Sequence, residues 1–183
     1  GGHKIAVSGI QRSGTNYLAA CLKQLGITPL NYFRVGEAHA MHKHSRWNCI
    51  SYCKIPRLKE LYPEIKCDNI QELNTACGYP IDTCHLIIQK DKANWLLSAA
   101  NFALNSGWYP DEKSVLQGLS TLSDDYDEYY NFWYKMSKKD SRKCRIVTYE
   151  NILNDFECLV SQLIYMEFNI RLLDEIEYGK FTE

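Results

Sequence analysis

The chain has 183 residues, 21 Lys/Arg against 22 Asp/Glu, 45% hydrophobic residues and 13% aromatics. That length suits a single domain spanning residues 1–183, and that composition excludes a disordered or collagen-like chain. A net charge of −1 argues against a nucleic-acid polymer as partner. The charge is unevenly placed, however: residues 1–60 hold nine Lys/Arg and two Asp/Glu, and the remainder is acidic. A basic front third inside one compact domain can present an anion site.

No run approaches the ~20 apolar residues of a membrane span. Gly1-Gly2-His3-Lys4 is not a signal sequence, which leads us to expect a cytoplasmic protein. Eight cysteines are present, several in apolar stretches (Cys21, Cys84, Cys158), and are expected as buried free thiols. Cys49 and Cys53 form one loose pair, short of the two tight pairs of a zinc ribbon, so no metal is expected there.

Along the chain, residues 4–8 (KIAVS) read as a short apolar strand. A Gly-bearing turn, Gly9 to Asn16, follows, then a helix with Tyr17, Leu18, Cys21, Leu22 and Leu25 at spacings of three and four, stopped by Gly26. Residues 37–44 are expected to form a second short strand and its end, residues 45–64 irregular structure or short helices, and residues 68–77 a helix. Residues 84–89 are a strand of buried-sheet type, with a helix over 93–104 behind it. An aromatic helix over 119–138 runs from an acidic start to a basic end, as a helix dipole favours. A strand at 145–149 and one helix over 153–168 complete the pattern. This alternation predicts an α/β domain: a three-layer sandwich with a mainly parallel central sheet, of the P-loop nucleotide-hydrolase type.

The turn carries the chemistry. Gly9 and Gly14 let the backbone curl so that successive N–H groups face one concavity, with the unpaired N–H groups of the next helix behind them. Arg12 can grip an oxyanion through two parallel hydrogen bonds, and Ser13, Thr15 and Asn16 add donors. The glycine spacing matches G-x-x-x-x-G-K-[ST], but Thr15 and Asn16 stand where the lysine and the Mg²⁺-binding hydroxyl belong. A nucleotide or nucleoside kinase-like phosphotransferase with an altered loop is therefore one alternative. A non-catalytic anion- or nucleotide-binding module is another.

Gln11-Arg12-Ser13-Gly14-Thr15-Asn16-Tyr17 resembles the phosphosulfate loop of the sulfotransferase family, whose members use 3′-phosphoadenosine 5′-phosphosulfate as sulfuryl donor and release adenosine 3′,5′-bisphosphate. The resemblance implies that Arg12, Ser13, Gly14, Thr15, Asn16 and Tyr17 surround the phosphosulfate. Lys90 and Ser98, eight residues apart, are similar to the family's strand-end Arg and helical Ser, which hold the 3′-phosphate. Asp91-Lys92 replaces the usual Asn-Pro there. Residues 145–153 are similar to the family's late strand and Tyr-Glu-x-Leu segment, whose role is mostly structural. The Arg-Lys-Gly cofactor segment near the family's C-terminus has only a faint echo in residues 178–182.

Sulfuryl transfer needs cationic groups at the transferring oxygens and a base near neutral pKa for the acceptor proton. Lys43-His44 resembles the basic-then-histidine end of the family's second strand, making His44 the expected base, with Glu37 and His42 in reserve. Strand alternation would put His42 and His44 on one face and Lys43 on the other. A metal site built from His42, His44 and either Glu37 or His39 is the competing reading. The resemblance implies an acceptor hydroxyl or amine on a glycan or small molecule. Trp47, Tyr52, Trp108, Tyr109 and residues 129–133 are expected either to line its pocket or to be core, and Arg34, Arg46, Lys54, Arg57 and Lys59 would suit an anionic glycan. Oligomeric state is left open.

Overall fold

The computed structural model describes residues 4–32 and 42–171. Three parallel strands, β1 (Ile5–Ser8), β2 (Cys84–Gln89) and β3 (Cys144–Thr148), form a sheet in the order β1-β2-β3. Ile5 pairs with Cys84, and His85 with Cys144. Helix α1 (Thr15–Gln24) follows β1. A 3₁₀ turn (Ser51–Lys54), α2 (Pro56–Leu61) and α3 (Ile70–Cys77) lead to β2. Helices α4 (Lys92–Asn105), α5 (Glu112–Gln117) and α6 (Leu119–Lys139) join β2 to β3, and α7 (Tyr149–Asn154) and α8 (Glu157–Tyr165) come last.

Period-two alternation along the strands builds the two outer layers. Ile5, Val7, Leu86, Ile88 and Val147 pack with Leu18 and Leu22 of α1 and Leu159 and Leu163 of α8. Ile87 and Cys144 face the other way, onto Trp95 and Ala99 of α4 and Tyr130 and Trp133 of α6. The expected three-layer α/β architecture is thus present.

The side of β1 away from β2 is covered without another strand among the described residues. Leu30 N–H donates to Ile5 O at 2.8 Å. The Asn31 side chain accepts from Val7 N–H (3.0 Å) and donates to Val7 O (2.7 Å), doing for one residue what a ladder neighbour would do.

Two expectations are corrected, and one helix is added. Residues 42–44 form a turn, with His42 at φ 59°, rather than the end of a strand; residues 33–41 lie outside the described residues. The helix expected over 153–168 is two helices. Asp155 interrupts it, its carboxylate accepting from Glu157 N–H, while the apolar spacing runs on through the break. Helix α5 was not expected. Asp111 caps it by accepting from Ser114 N–H at 2.8 Å, but only Val115 of its six residues is buried, too little to give a periodic signal.

All eight cysteines are free thiols. Cys21 and Cys84 are buried as expected, whereas Cys158 is only half-buried on α8. Among the described residues no helix is long and apolar enough to cross a membrane. No group of three metal-ligating side chains occurs among them either.

Candidate functional site

The turn between β1 and α1 is shaped by contacts that leave no room for side chains at its glycines. A Cβ on Gly9 would lie 2.4 Å from Ser13 Oγ and 2.9 Å from Ile88 Cγ2. Gly14 has φ 102°, and a Cβ there would meet the Tyr149 ring at 2.7 Å. Gly14 is also the N-cap of α1 and offers no side-chain cap. The first amides of α1 therefore keep donors that the helix itself cannot satisfy. Arg12 sits at φ 70°, its guanidinium 4.9 Å from the centre of the Phe102 ring. Its Nε is buried without a hydrogen-bond partner. Ser13 is fully buried; its hydroxyl lies beside that of Tyr130 but has no partner in bonding geometry. A buried donor left unpaired is costly. The uncapped first amides of α1 and the part-exposed Arg12 guanidinium are donors suited to an oxyanion, so the residues present fit a phosphosulfate group.

The loop is held from several directions. Trp95 Nε1 donates to Gln11 O at 2.7 Å, and the Tyr130 hydroxyl accepts from Ile10 N–H while donating to Ile88 O at 2.7 Å. Segment 42–46 crosses beside it. Gly9 N–H donates to Lys43 O at 3.2 Å, and His44 Nδ1 lies 2.7 Å from Gly9 O. A carbonyl only accepts, so Nδ1 carries the proton in that contact. His42 turns elsewhere, its Nδ1 3.0 Å from Ser45 Oγ, with burial lowering its pKa. The two histidines do not share a strand face. Lys43 does not point away: it is buried and donates from Nζ to Asn16 Oδ1 at 2.5 Å, in the first turn of α1. Sequence reading did not place Lys43 beside the loop, because it treated the segment as a strand.

Lys90, at the end of β2, lies over the Tyr149 ring at 5.6 Å, and Tyr149 in turn packs on Gly14 and, at 5.6 Å, on Tyr17. Ser98 is half-buried on α4, on the same side as Trp95 and Phe102, both of which touch the loop. The start of α4 is already occupied. Asp91 accepts from Asn94 N–H, its own N–H donates to Glu150 at 2.6 Å, and Lys92 is ion-paired with Asp127 at 2.9 Å. The Tyr149-Glu150 segment therefore braces the site directly. Glu37 and His39 lie outside the described residues, as do Arg34 and residues 178–182.

The aromatic side chains offered for an acceptor pocket are core. Trp47, Tyr52, Trp108, Tyr109, Tyr129, Tyr130, Phe132 and Trp133 are all buried. Arg46, read as a surface cation for an anionic glycan, is fully buried and ion-paired with Asp125. Burial alone would lower its pKa, but the Asp125 carboxylate more than offsets this and holds it above the usual arginine range. Arg57 is exposed and paired with Glu60.

The fold is shared with a solved sulfotransferase. The crystal structure of mouse sulfotransferase SULT7A1 complexed with PAP aligns with a TM-score of 0.53 over 92% of this chain, at 12% identity. The chain spans 59% of the length of that protein. No family model and no curated protein matches the sequence.

Proposed function

We propose that the chain is a sulfotransferase that takes its sulfuryl group from 3′-phosphoadenosine 5′-phosphosulfate and gives it to a hydroxyl or amine of a glycan or small molecule. The observation that carries this reading is the loop itself: a glycine turn, with Gly14 at φ 102°, leads into a helix start that no side chain caps, with the Arg12 guanidinium and Lys43 Nζ beside it. The residue pattern of the loop and the fold shared with a sulfotransferase support it.

The bound donor supplies an activated sulfuryl group on a phosphate leaving group. Arg12, Ser13, Gly14, Thr15 and Asn16 would hold that phosphosulfate, with Tyr17 beside them and Lys43 adding a second cation at Asn16. Lys90 and Ser98 would hold the 3′-phosphate. His44 would take the acceptor proton on Nε2, because the Gly9 carbonyl keeps the other nitrogen protonated. Concentrated positive charge on rigid backbone favours the transition state without a reorganisation cost at the moment of transfer.

Calorimetric titration with adenosine 3′,5′-bisphosphate tests the reading. Wild-type protein binds it, and Arg12→Ala loses most of the affinity. Undetectable binding to folded wild type overturns the proposal, and Mg²⁺-dependent ATP binding in its place would favour the kinase-like alternative.

A further inference from the structure

We propose that the buried Arg46–Asp125 pair is a positioning element that registers the segment carrying His44 against the anion loop and thereby fixes which ring nitrogen of His44 holds the proton. Its functional consequence rests on the sulfotransferase reading; the geometric claim does not.

Segment 42–46 has no strand or helix of its own to place it. It begins as a turn at residues 42–44, and His42 within it and Asn48 just beyond it both have positive φ. Arg46 supplies what the backbone lacks. Its Nε and Nη2 donate to the two Asp125 oxygens, each at 2.8 Å, anchoring it to α6. Nη2 also donates to Gln11 Oε1 in the loop at 2.9 Å, and Nη1 donates to His44 O at 2.5 Å. One planar guanidinium thus connects α6, the loop and the base-bearing residue. A planar fork fixes the directions of its acceptors as a flexible ammonium cannot.

The surroundings keep that geometry free of competing water. Arg46 and Asp125 side chains are both 0% exposed, and the guanidinium lies 5.3–5.8 Å from the ring centres of Tyr52, Tyr62 and Tyr129. Tyr62 also accepts from Gln11 Nε2 at 3.2 Å, which orients the Gln11 carbonyl toward Arg46. A buried ion pair is often no more stabilising than apolar residues of the same volume. Stability alone therefore does not account for a pair that spans three chain segments; the register it imposes does. With the segment held, His44 Nδ1 reaches Gly9 O, the contact that fixes the tautomer.

The test reads the assigned ¹⁵N shifts of the His44 ring in the full chain, which distinguish the two neutral tautomers. Wild type is expected in the Nδ1–H form. Two variants are compared: Arg46→Lys, which keeps the charge but loses the fork, and the double substitution Arg46→Met with Asp125→Leu, which removes the pair without stranding a charge. Near-UV circular dichroism establishes which of them is folded. In a folded variant the Nδ1–H population is expected to fall to a mixture, with affinity for adenosine 3′,5′-bisphosphate reduced about tenfold. A folded variant that keeps the wild-type ¹⁵N pattern overturns the positioning role, as does wild type in the Nε2–H form. If neither variant folds, the pair is a stability element and the positioning role is likewise overturned. Failure of wild type to bind adenosine 3′,5′-bisphosphate, with the tautomer shift present in the variants, overturns the functional reading and leaves the positioning role standing.

Discussion

Lys43 Nζ lies 2.5 Å from Asn16 Oδ1, so a buried ammonium from a separate segment reaches the first turn of the helix behind the glycine loop. In a P-loop the cation comes from the loop itself; here Thr15 and Asn16 occupy those positions and the cation arrives from 27 residues away. Lys43→Met is expected to weaken binding of adenosine 3′,5′-bisphosphate by roughly tenfold, the equivalent of about 1.4 kcal/mol. Lys43→Arg should recover part of it. Calorimetric titration gives the ratios, and equal affinities for wild type and Lys43→Met would remove Lys43 from the site.

Lys90 and Lys92 lie two residues apart but differ in their partners. Lys92 is paired with Asp127, while Lys90 lies over Tyr149 beside Gly14. Lys90→Ala is expected to reduce the preference for adenosine 3′,5′-bisphosphate over adenosine 5′-phosphate by about tenfold. Lys92→Ala should change that preference less than twofold, because an exposed surface pair contributes little. The reverse ranking would move the 3′-phosphate contact away from Lys90.

Gly9 is required by space and not by φ. In Gly9→Ala the new methyl would meet Ser13 Oγ, Thr15 Cγ2 and Ile88 Cγ2, all inside 3.0 Å. Relief demands a shift of backbone between β1 and α1, at a cost of about 1–3 kcal/mol. Thermal unfolding should show a Tm lowered by several degrees. An unchanged Tm would mean that the loop has slack at this point.

His85 makes stability depend on pH. It is fully buried on β2, with Nε2 2.5 Å from Asn74 Oδ1 and the ring stacked on Trp133, and desolvation pushes its pKa down to about 3. The unfolded chain binds a proton near pH 6.5. Its stabilisation is therefore complete above that value and is lost as pH falls toward 3, at about 1.4 kcal/mol per pH unit. In urea titrations at pH 7.5, 6 and 5, the stability difference between wild type and His85→Phe should shrink by that slope below pH 6. Parallel curves for the two proteins would contradict the assignment. The paired comparison cancels His42, whose pKa burial also lowers.

The elements legible in the sequence are those with local signals. The residues of β1, the glycine loop, α1, β2, α4, α6 and β3 announce themselves by apolar runs, spacings of three and four, and glycines where the backbone must curl. Helix α6 was expected over 119–138 and spans Leu119–Lys139. Its aromatics are core because Tyr126, Tyr129, Tyr130 and Trp133 recur on one helical face and so cannot avoid the sheet.

By itself, the sequence determined an α/β chain with a glycine-bearing turn after its first strand, since strand, glycine spacing and polar donors all lie within thirteen consecutive residues. Only the tertiary structure decided what approaches that turn. The partner of Arg46 is 79 residues away, the carbonyl that accepts from His44 Nδ1 is 35 away, and the tryptophan that holds Gln11 O is 84 away. Periodicity reports which face of an element is apolar. It carries no information on which distant donor meets which acceptor, because that pairing is fixed only when the layers close and bring groups far apart in the chain together. The basic front third thus resolved into cations of different kinds: Arg12 and Lys43 at the loop, and Arg46 buried behind it.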